Sequence, residues 1–450
     1  MRVAGLSAMA DPADHDGLTL FAPASGFGRA AVSVIRISGP ACRRALEAIS
    51  GSLPAPRRLS LRAIRDPDSR ETIDRGLVGW FPGPNSFTGE DMAEFHLHGG
   101  LAVRTAVLRI LARLPGCQAA GPGDFTRRAA LNGRLDLAQA EGIADLIDAE
   151  TEAQRRQALR QLDGALGRQV GAWRETAIDL LARTEAALDF SDEGDVDDDG
   201  LDAALAGNAE ALSKQIQAAL GDGRRGERLR EGFFVVLAGP PNAGKSTLLN
   251  ALAGREAAIV SSLPGTTRDA IEVRCDLGGL PVVLVDTAGL RETDDPVESE
   301  GIRRTRRRME DADLVLHLLP ADEAGEAATP PQRGLAVQTK IDLLAALRSG
   351  DDLGVCALSG AGLDALLDAI RAAAEVSLGG GDGLVTRERH RDALTRACSH
   401  LDRVASRITS APELVAEDLR LAVRALGEVV GHVGVEEMLD HLFAGFCIGK

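Results

Sequence analysis

The segment GPPNAGKS, residues 239–246, decides the fold class of this chain. It follows the apolar run 233–238, which is typical of a β-strand, and precedes the apolar helical run 247–253. In this strand-loop-helix context the backbone N–H groups of the loop face phosphate oxygens, and the Lys245 ammonium attracts the β- and γ-phosphates of a nucleotide. The Ser246 hydroxyl can ligate Mg²⁺. The segment therefore predicts a P-loop nucleotide site.

Two later segments add a metal ligand and a switch. The apolar run 281–285 predicts a strand that delivers Asp286, which can hold Mg²⁺ or its bound water, while Gly289 can offer its N–H to the γ-phosphate. Between the P-loop and this strand lies GTTRD, residues 265–269, in which the Thr267 hydroxyl can reach the metal while the triphosphate is intact. The order of such a loop depends on one phosphate group, which is the behaviour of a switch.

The segment TKID, residues 339–342, indicates which base is bound. The Asp342 carboxylate can accept hydrogen bonds from guanine N1–H and N2–H₂, which adenine does not offer, so GTP is favoured over ATP. Thr339 replaces the usual Asn, and CAL at 356–358 stands where Ser-Ala-Lys is more common. The residues expected to bind GTP are Asn242, Ala243, Gly244, Lys245, Ser246, Thr247, Ser261, Ser262, Leu263, Pro264, Gly265, Thr266, Thr267, Asp286, Thr287, Ala288, Gly289, Thr339, Lys340, Asp342, Cys356, Ala357 and Leu358.

Hydrolysis also needs a placed water and positive charge near the transferred phosphate. Leu290 follows Gly289, so the glutamine of Ras-type enzymes is not visible, and neither is a partner arginine. Asn242, with the nearby loop 261–266, could cage a monovalent cation instead; an ordinary loop-capping asparagine is the alternative. Glu298 is the candidate for orienting water, and a solvated loop carboxylate is its alternative.

Patterns outside the nucleotide segment predict further domains. Up to about residue 130, short β-like runs such as 31–37 and 77–81 alternate with Gly and Pro turns, as in an α+β domain. An apolar stripe over 159–181 predicts one face of a long helix, which ends at the acidic run 192–199, interpreted as a solvated loop. Strand and helix patterns alternate from about 230 to 380, and helical periodicity then returns. The simplest arrangement is an α/β nucleotide domain inserted into a helical domain.

Composition restricts the classes of partner and compartment. The 450 residues carry a net charge of −16, which argues against coating nucleic acid or anionic membrane by bulk charge, so a polyanion must meet a local basic patch. The arginine cluster 303–308 is either a solvated helix face or such a contact. The six cysteines lie far apart without a zinc-type spacing, and no apolar run is long enough to span a membrane. We expect a cytoplasmic protein.

The flanking motifs resemble one family closely. They include RISGP at 36–40, SFTGED at 86–91, the segment 121–141 beginning GPGDFTRR, and the terminal CIGK at 447–450. In this order, and together with the nucleotide motifs, they resemble the MnmE/TrmE family of tRNA wobble-uridine modification GTPases over nearly all the chain after about residue 18. Arg134 stands where the family commonly has Lys, and the segment 24–31 is looser than the family's glycine-rich one.

The resemblance implies an architecture and a set of partners. The fold would be an α/β P-loop GTPase domain inserted into an α-helical domain, preceded by an α+β N-terminal domain of a folate-binding type. The expected divisions are 1–130 for the N-terminal domain, 131–229 and 384–450 for the two parts of the helical domain, and 230–383 for the inserted G domain. A homodimer would work with an FAD-containing subunit of the MnmG type, as a heterotetramer, on tRNA and without a membrane.

The resemblance also assigns roles to individual residues, and it implies GTP, Mg²⁺, K⁺ and 5-formyltetrahydrofolate or a related folate as cofactors. Folate contacts would be Arg36, Glu94, Arg134 and Lys450. The Mg²⁺ ligands would be Ser246 and Thr267, and the K⁺ ligands would be Asn242, Ser261, Leu263 and Thr266. Catalysis would use Lys245, Glu298 and Cys447. The alternative activity, which the nucleotide motifs alone would fit, is a GTP-gated switch for ribosome assembly.

Overall fold

The structure is a computed structural model of the 450-residue chain. It describes residues 17–26, 28–189, 198–255, 257–259, 272–286, 312–322, 334–343, 353–379, 383–407, 412–432, 443, 445–446 and 448–449. Contacts divide the chain into two units, one made of 1–144 with 430–450 and the other of 145–429. In the described part of the chain, no helix is both long and apolar enough to cross a membrane.

The first unit is built around one six-stranded sheet in the order β3-β4-β5-β2-β1-β6. All strand pairs are antiparallel except β1 with β6, which is parallel. Its elements are β1 Thr19–Pro23, β2 Ala30–Ser38, α1 Cys42–Ser50, β3 Ser60–Arg65, β4 Thr72–Phe81, β5 Met92–Gly99, α2 Leu101–Arg113, β6 Cys117–Ala119, α3 Asp124–Leu131 and the start of α4 Leu137–Asp148. This mixture confirms the α+β character expected for this part of the sequence.

One face of this sheet carries the core. Ile35 and Ile37 of β2, with Phe95 of β5, point to the side that α1 and α2 cover, and all three are fully buried. Because successive strand residues point to opposite faces, the residues between them form a second face. That second face is partly open, since Val32 and Leu61 are 52% and 68% exposed.

The end of the chain packs within this first unit. Ile448 forms a bridge with Pro122, and Phe443 packs with Phe446 at a ring distance of 5.0 Å. Gly449 has a φ of 97°, and a Cβ placed on it would lie 2.0 Å from the carbonyl oxygen of Pro23. Only glycine fits this position, because it combines a left-handed backbone with direct contact to another chain segment.

In the second unit, helices both precede and follow the nucleotide domain in the chain. Its helices outside the nucleotide domain are α5 Glu152–Leu162, α6 Ala165–Asp189, α7 Asp198–Glu231, α10 Glu388–Arg407 and α11 Pro412–Val430. The single long helix predicted over 159–181 is wrong, because α5 ends at Leu162 and α6 starts at Ala165. Gly164 lies between them with a φ of 79°, which a right-handed helix cannot contain. The acidic run 192–199 falls largely outside the described residues, and α7 begins within it.

The nucleotide domain of this unit is a second six-stranded sheet, in the order β12-β11-β10-β7-β9-β8. Its strands are parallel except for β8, which pairs with β9 antiparallel. The elements are β7 Phe233–Ala238, α8 Lys245–Ala253, β8 Glu272–Leu277, β9 Leu280–Asp286, β10 Leu314–Pro320, β11 Gly334–Thr339, a 3₁₀ turn Ile341–Leu343, β12 Leu353–Val355 and α9 Leu363–Leu378. The parallel α/β prediction is thus confirmed, although the apolar run 355–358 is not a strand of its own, because the last strand, β12, ends at Val355.

Candidate functional site

The P-loop lies at the carboxyl end of β7, a central strand of the parallel sheet. Val235 and Leu237 are fully buried, so the strand is fixed on the side that packs on α8. After the strand the chain turns through Asn242, whose φ is 62°, and through Gly244, whose φ is 90° and which caps α8. These two left-handed positions aim the loop amides at the start of the helix, where an anion is favoured by unpaired N–H groups and by the helix dipole.

Lys245 is held inside this loop. Its ammonium donates hydrogen bonds to the carbonyl oxygens of Gly239 and Pro240, both at 2.9 Å, and the residue is only 9% exposed. A buried cation without a carboxylate partner in these contacts retains most of its attraction for phosphate, because carbonyl dipoles neutralise it only in part. The arrangement matches the phosphate-binding role predicted for Lys245.

Ser246 and Asp286 meet at the metal position. Leu237 pairs with Asp286 across β7 and β9, which places the carboxylate beside the first turn of α8. The Ser246 hydroxyl donates to Asp286 Oδ2 at 2.5 Å, and Asp286 is 2% exposed. Two hard oxygen ligands so close together fit Mg²⁺, which is commonly held by one or two protein oxygens and by phosphate.

The segment that follows β11 bonds to the P-loop. The Thr339 hydroxyl, 4% exposed, donates to the carbonyl oxygen of Ala243 at 2.8 Å. From its residue type alone, Thr339 is expected to lose a contact to the base. The structure gives its side chain a different role, as a tie between the base-binding segment and the phosphate-binding loop. Asp342 lies in the short 3₁₀ turn that begins two residues later.

Lys340 has a partner that sequence reasoning missed. Its φ is 60°, and its ammonium donates to both carboxylate oxygens of Asp322, at 3.0 and 2.8 Å. The hydrogen bond from Lys340 lowers the pKa of Asp322. No sequence motif marks Asp322, because the pair is formed between the ends of two neighbouring strands, β10 and β11, and its members are eighteen residues apart.

The CAL segment leads into a turn that follows β12. Cys356 donates its N–H to Ala361 and accepts from Gly360, both at 2.9 Å, which closes a loop before α9. Cys356 is buried, whereas Leu358 is 84% exposed. The turn is tight, because a Cβ on Gly362 would lie 1.9 Å from the carbonyl oxygen of Gly354.

Part of the predicted nucleotide site lies outside the described residues. These positions are Ser261, Ser262, Leu263, Pro264, Gly265, Thr266, Thr267, Thr287, Ala288, Gly289 and Glu298. The structure therefore brings together Lys245, Ser246, Asp286 and Thr339 around the P-loop, with Asn242 in the loop itself. The roles of the remaining positions stay predictions.

A second candidate site lies on the partly open face of the first unit's sheet. Arg36 and Glu94 are cross-strand neighbours on β2 and β5, and the guanidinium donates to Glu94 Oε1 from Nε at 3.1 Å and from Nη2 at 2.8 Å. Glu94 Oε2 lies 3.2 Å from His96 Nε2. Both Arg36 and Glu94 are about one-fifth exposed, so the pair can be reached by a ligand.

Aromatic rings flank this arginine. The Arg36 guanidinium carbon lies 5.7 Å from the centroid of the Phe87 ring and 6.0 Å from that of the buried Phe125. These are distances of cation–π attraction, which fixes the guanidinium in addition to its bond with Glu94. Phe87 and Phe125 belong to the SFTGED and GPGDFTRR motifs, but only the folded sheet shows that both surround one arginine.

The same two motifs are joined by hydrogen bonds. Arg128 donates to Glu90 at 2.9 Å and to the carbonyl oxygen of Leu18 at 2.7 Å, and the Asn132 amide donates to the carbonyl oxygen of Thr88 at 2.6 Å. Ser38 Oγ also donates to Glu90, at 2.8 Å. This network holds the loop that carries Phe87 against α3.

The other predicted folate contacts are less defined. Arg134 follows α3 and is exposed, and within the described residues its guanidinium makes no hydrogen bond. Cys447 and Lys450 lie outside the described residues, although their neighbours Ile448 and Gly449 contact Pro122 and Pro23 in the same unit. The structure thus brings together Arg36 and Glu94, and it places Arg134 beside the loop that carries Phe87, since a Cβ on Gly89 would lie 3.4 Å from Arg134 Cγ.

Comparisons with known proteins cover both units. A model of the GTP-binding protein TrmE N-terminus matches residues 19–134, and a model of the MnmE helical domain matches residues 137–447. A tRNA modification GTPase MnmE of Methylorubrum populi is 72% identical over 96% of this chain and 98% of its own. Its counterpart in Azorhizobium caulinodans is 54% identical over 96% and 99%. Among solved structures, the G domain of the T. maritima FeoB iron transporter is 24% identical over 31% of this chain and 98% of its own, with a TM-score of 0.21.

Proposed function

Because this chain belongs to the MnmE family of tRNA modification GTPases, we propose that it is a K⁺-stimulated GTPase that adds a carboxymethylaminomethyl group at C5 of the wobble uridine of certain tRNAs. It would do so as a homodimer, with an FAD-dependent partner of the MnmG type in a heterotetramer and with a folate as one-carbon donor. The observation that carries the proposal is the joining of a complete P-loop with a second, separate site around Arg36 in one chain.

GTP hydrolysis is assigned to the P-loop region. Lys245 would attract the phosphates, and the loop amides before α8 would orient them, since both sit where negative charge is favoured. Ser246 and Thr267 would hold Mg²⁺, with Asp286 accepting from Ser246. The ion supplies charge neutralisation at the phosphates. Every oxygen that the structure places there is of the hard type that Mg²⁺ prefers.

The remaining catalytic parts come from the P-loop and its neighbours. Asn242, with Ser261, Leu263 and Thr266, would hold K⁺ beside the phosphates, and the left-handed backbone at Asn242 supports a special role for this side chain. Glu298 would orient the attacking water. If it does, Glu298→Ala abolishes turnover with little change in GTP affinity, because the group acts mainly in the transition state. Unchanged turnover would mean that Glu298 is an ordinary surface carboxylate.

The folate would bind at the face that carries Arg36 and Glu94, together with Arg134 and Lys450. Arg36 suits the anionic part of such a ligand, and Glu94 suits N–H donors of its ring system. The fit is supported by the partial exposure of the pair and by the aromatic side chains beside it. The folate supplies the one-carbon unit, while the protein groups bind and orient it.

Dimerisation and location complete the proposal. The open face of the first unit's sheet exposes Val32 of β2 and Leu77 of β4 at 52% and 40%, and burial of such apolar side chains favours association. A homodimer through this face is therefore the assembly proposed.

We also propose that the chain divides into three domains: an N-terminal domain of residues 1–130, a helical domain of residues 131–229 and 384–450, and a G domain of residues 230–383. The proposed location is the cytoplasm.

The tail is assigned to the modification chemistry. Ile448 and Gly449 contact the first unit, so Cys447 and Lys450 would be presented there and not at the phosphates. Burial raises the pKa of the thiols of Cys42, Cys117, Cys275 and Cys398, and Cys356 is buried, so none of these five is a favoured nucleophile near neutral pH. Cys447 would then be the reactive thiol of the chain.

Mass spectrometry of tRNA nucleosides tests the proposed function. A deletion strain should lack the modified wobble uridine, and the wild-type gene should restore it. The Cys447→Ser protein should keep K⁺-stimulated hydrolysis but fail to restore the nucleoside. A normal nucleoside profile in the deletion strain would contradict the function, and a normal profile with Cys447→Ser would contradict only the role of the thiol.

A ribosome-assembly switch is the alternative that the nucleotide motifs allow. It would predict altered ribosomal subunit profiles in the deletion strain with normal wobble nucleosides. The match to the TrmE N-terminal model over residues 19–134 favours tRNA modification, because a switch of that kind has no need of this domain.

A further inference from the structure

The first unit differs in charge from the rest of the chain. Residues 1–144 with 430–450 contain 18 arginines and lysines against 17 aspartates and glutamates, whereas the whole chain has a net charge of −16. An anionic macromolecule is therefore repelled by the rest of the protein but not by this nearly neutral unit, where a local cluster of positive charge can attract it. The charge is not evenly spread, because the segment from Ala48 to Arg65 contains four arginines and no acidic residue.

These four arginines lie along the free edge of the sheet. Strand β3 is the terminal strand on one side, so its outer edge has no neighbour among the described strands. Arg62 and Arg65 belong to the strand, and Arg57 and Arg58 directly precede it. Edge strands commonly carry charge as protection against pairing, which would account for the pattern in a simple way. The contacts of the individual arginine side chains indicate a binding role in addition to protection of the edge.

The arginines on this edge are not neutralised. Arg58 and Arg65 are exposed, and neither forms an ion pair with any residue that the structure describes. The Nε atom of Arg62 is buried without a hydrogen-bond partner, and its Nη1 donates only to a carbonyl oxygen, that of Leu61, at 3.3 Å. By contrast, Arg36, Arg113 and Arg128 elsewhere in the unit all pair with carboxylates.

We propose that this edge, Arg57 to Arg65, is an RNA-binding surface that contacts the phosphate backbone of the tRNA substrate. The inference rests on the proposed function in tRNA modification and adds the place of contact. Arg65 lies seven positions after Arg58 in nearly extended chain, a distance of roughly 20 Å, which is long enough to face several consecutive phosphates. Guanidinium groups bind phosphate through paired hydrogen bonds. Arg58 and Arg65 lose no partner among the described residues when they do so, whereas Arg57 and Arg62 donate to the carbonyl oxygens of Asn85 and Leu61.

A charge-reversal pair tests the surface directly. The full-length Arg58→Glu/Arg65→Glu protein is compared with Arg43→Glu/Arg44→Glu, which makes the same change in net charge at two exposed arginines of α1. Binding to a labelled, unmodified tRNA transcript is followed by fluorescence anisotropy between 50 and 300 mM salt. We expect the edge variant to bind the tRNA at least about tenfold more weakly. The slope of the logarithm of its binding constant against the logarithm of the salt concentration should be smaller in magnitude by about one to two. The affinity of the α1 variant should change by less than about threefold.

Three further measurements show that the loss of tRNA affinity comes from the positive charge at the edge and not from damage to the nucleotide domain or to the fold. Arg58→Lys/Arg65→Lys should retain most of the affinity, because the positive charges remain. K⁺-stimulated hydrolysis should match the wild type in all three variants, since the substituted side chains lie outside the nucleotide domain. Thermal unfolding of the two edge variants should also match, because Arg58 and Arg65 form no ion pair with a described residue.

Two results would overturn the proposal. Equal weakening by the edge and α1 variants would indicate a bulk charge effect. Loss of the dimer with unchanged tRNA affinity would show that the edge serves a second copy of the chain.

The outcome is distinguishable from a failure of the proposed function. If the deletion strain has normal nucleosides, the function is wrong whatever the anisotropy shows. If the deletion strain lacks the modification and the edge variant restores it with normal tRNA affinity, the function stands and the RNA-binding surface is wrong.

Discussion

The nucleotide site and the Arg36 site are built in different ways. The first is almost continuous in sequence, since the P-loop and the start of α8 supply Lys245 and Ser246 within a few residues. The second is formed across a sheet, where Arg36 and Glu94 come from neighbouring strands and are 58 positions apart. A local motif fixes the first through its own backbone, whereas the second depends on strand register. Substitutions at one site should therefore leave the other intact.

Among substitutions of residues that the structure describes, the largest effect is expected from Asp286→Asn. The substitution removes the charge beside Ser246 while preserving shape, so metal-dependent hydrolysis should fall at least about hundredfold. Steady-state phosphate release measures this loss. Folate binding by calorimetry serves as the control and should be unchanged. A parallel loss of folate affinity would show that the two sites are coupled.

Arg36→Ala should produce the converse result. Loss of a charge-assisted contact costs about 1.5–3 kcal/mol, which is about a 10- to 150-fold weaker folate affinity. Glu94→Gln, combined with Arg36→Ala in a double-mutant cycle, should give a non-additive loss because the two side chains bond to each other. GTP hydrolysis should stay at the wild-type rate, and a fall in that rate would contradict the separation of the sites.

Asn242→Ala tests whether the P-loop contains its own activator. Wild-type hydrolysis should be at least about tenfold faster in K⁺ than in Na⁺ without an added activating protein. The variant should lose this difference and still bind nucleotide, because Lys245 and the loop amides remain. Equal wild-type rates in the two salts would eliminate the cation site.

Gly449→Ala tests the anchoring of the tail. The added methyl group would overlap the Pro23 carbonyl and force a left-handed backbone on alanine, which costs about 1–3 kcal/mol. We expect wobble-uridine modification to drop about tenfold in a complemented strain, with normal GTP hydrolysis. Gly17→Ala, at another left-handed glycine with no atom near its Cβ position, is the control for backbone strain alone.

The smallest effect is expected from Thr339→Val. Valine keeps the shape and removes the hydroxyl that binds the Ala243 carbonyl, so GTP affinity should weaken several-fold, equivalent to about 1 kcal/mol. Asp322→Asn is the matched variant, and its effect should be smaller because the Lys340–Asp322 pair is partly exposed. If the two variants are equal, the tie from Thr339 to the P-loop does not stabilise the site.

The sequence interpretation was accurate where structure depends on a local motif and failed where it depends on contacts between distant segments. Strand β7, the P-loop and α8 were predictable because the motif combines apolar periodicity with glycine positions that permit few conformations. The apolar stripe over 159–181 led to the wrong prediction of one long helix. The helical spacing of its apolar residues continues across Gly164, but the helical backbone is interrupted there. Thr339 was interpreted from its residue type alone, and its hydrogen bond to Ala243 joins segments 96 positions apart.

By itself the sequence determined the class of fold, the GTP-binding chemistry and the family, because short motifs encode phosphate binding locally. Only the tertiary structure decided which side chains are partners. It placed Phe87 and Phe125 beside Arg36, paired Lys340 with Asp322, and left the arginines of β3 at the edge of a sheet without an ion pair to any described carboxylate. Such pairings depend on strand order and register, which are set by burial over the whole unit and not by any one segment.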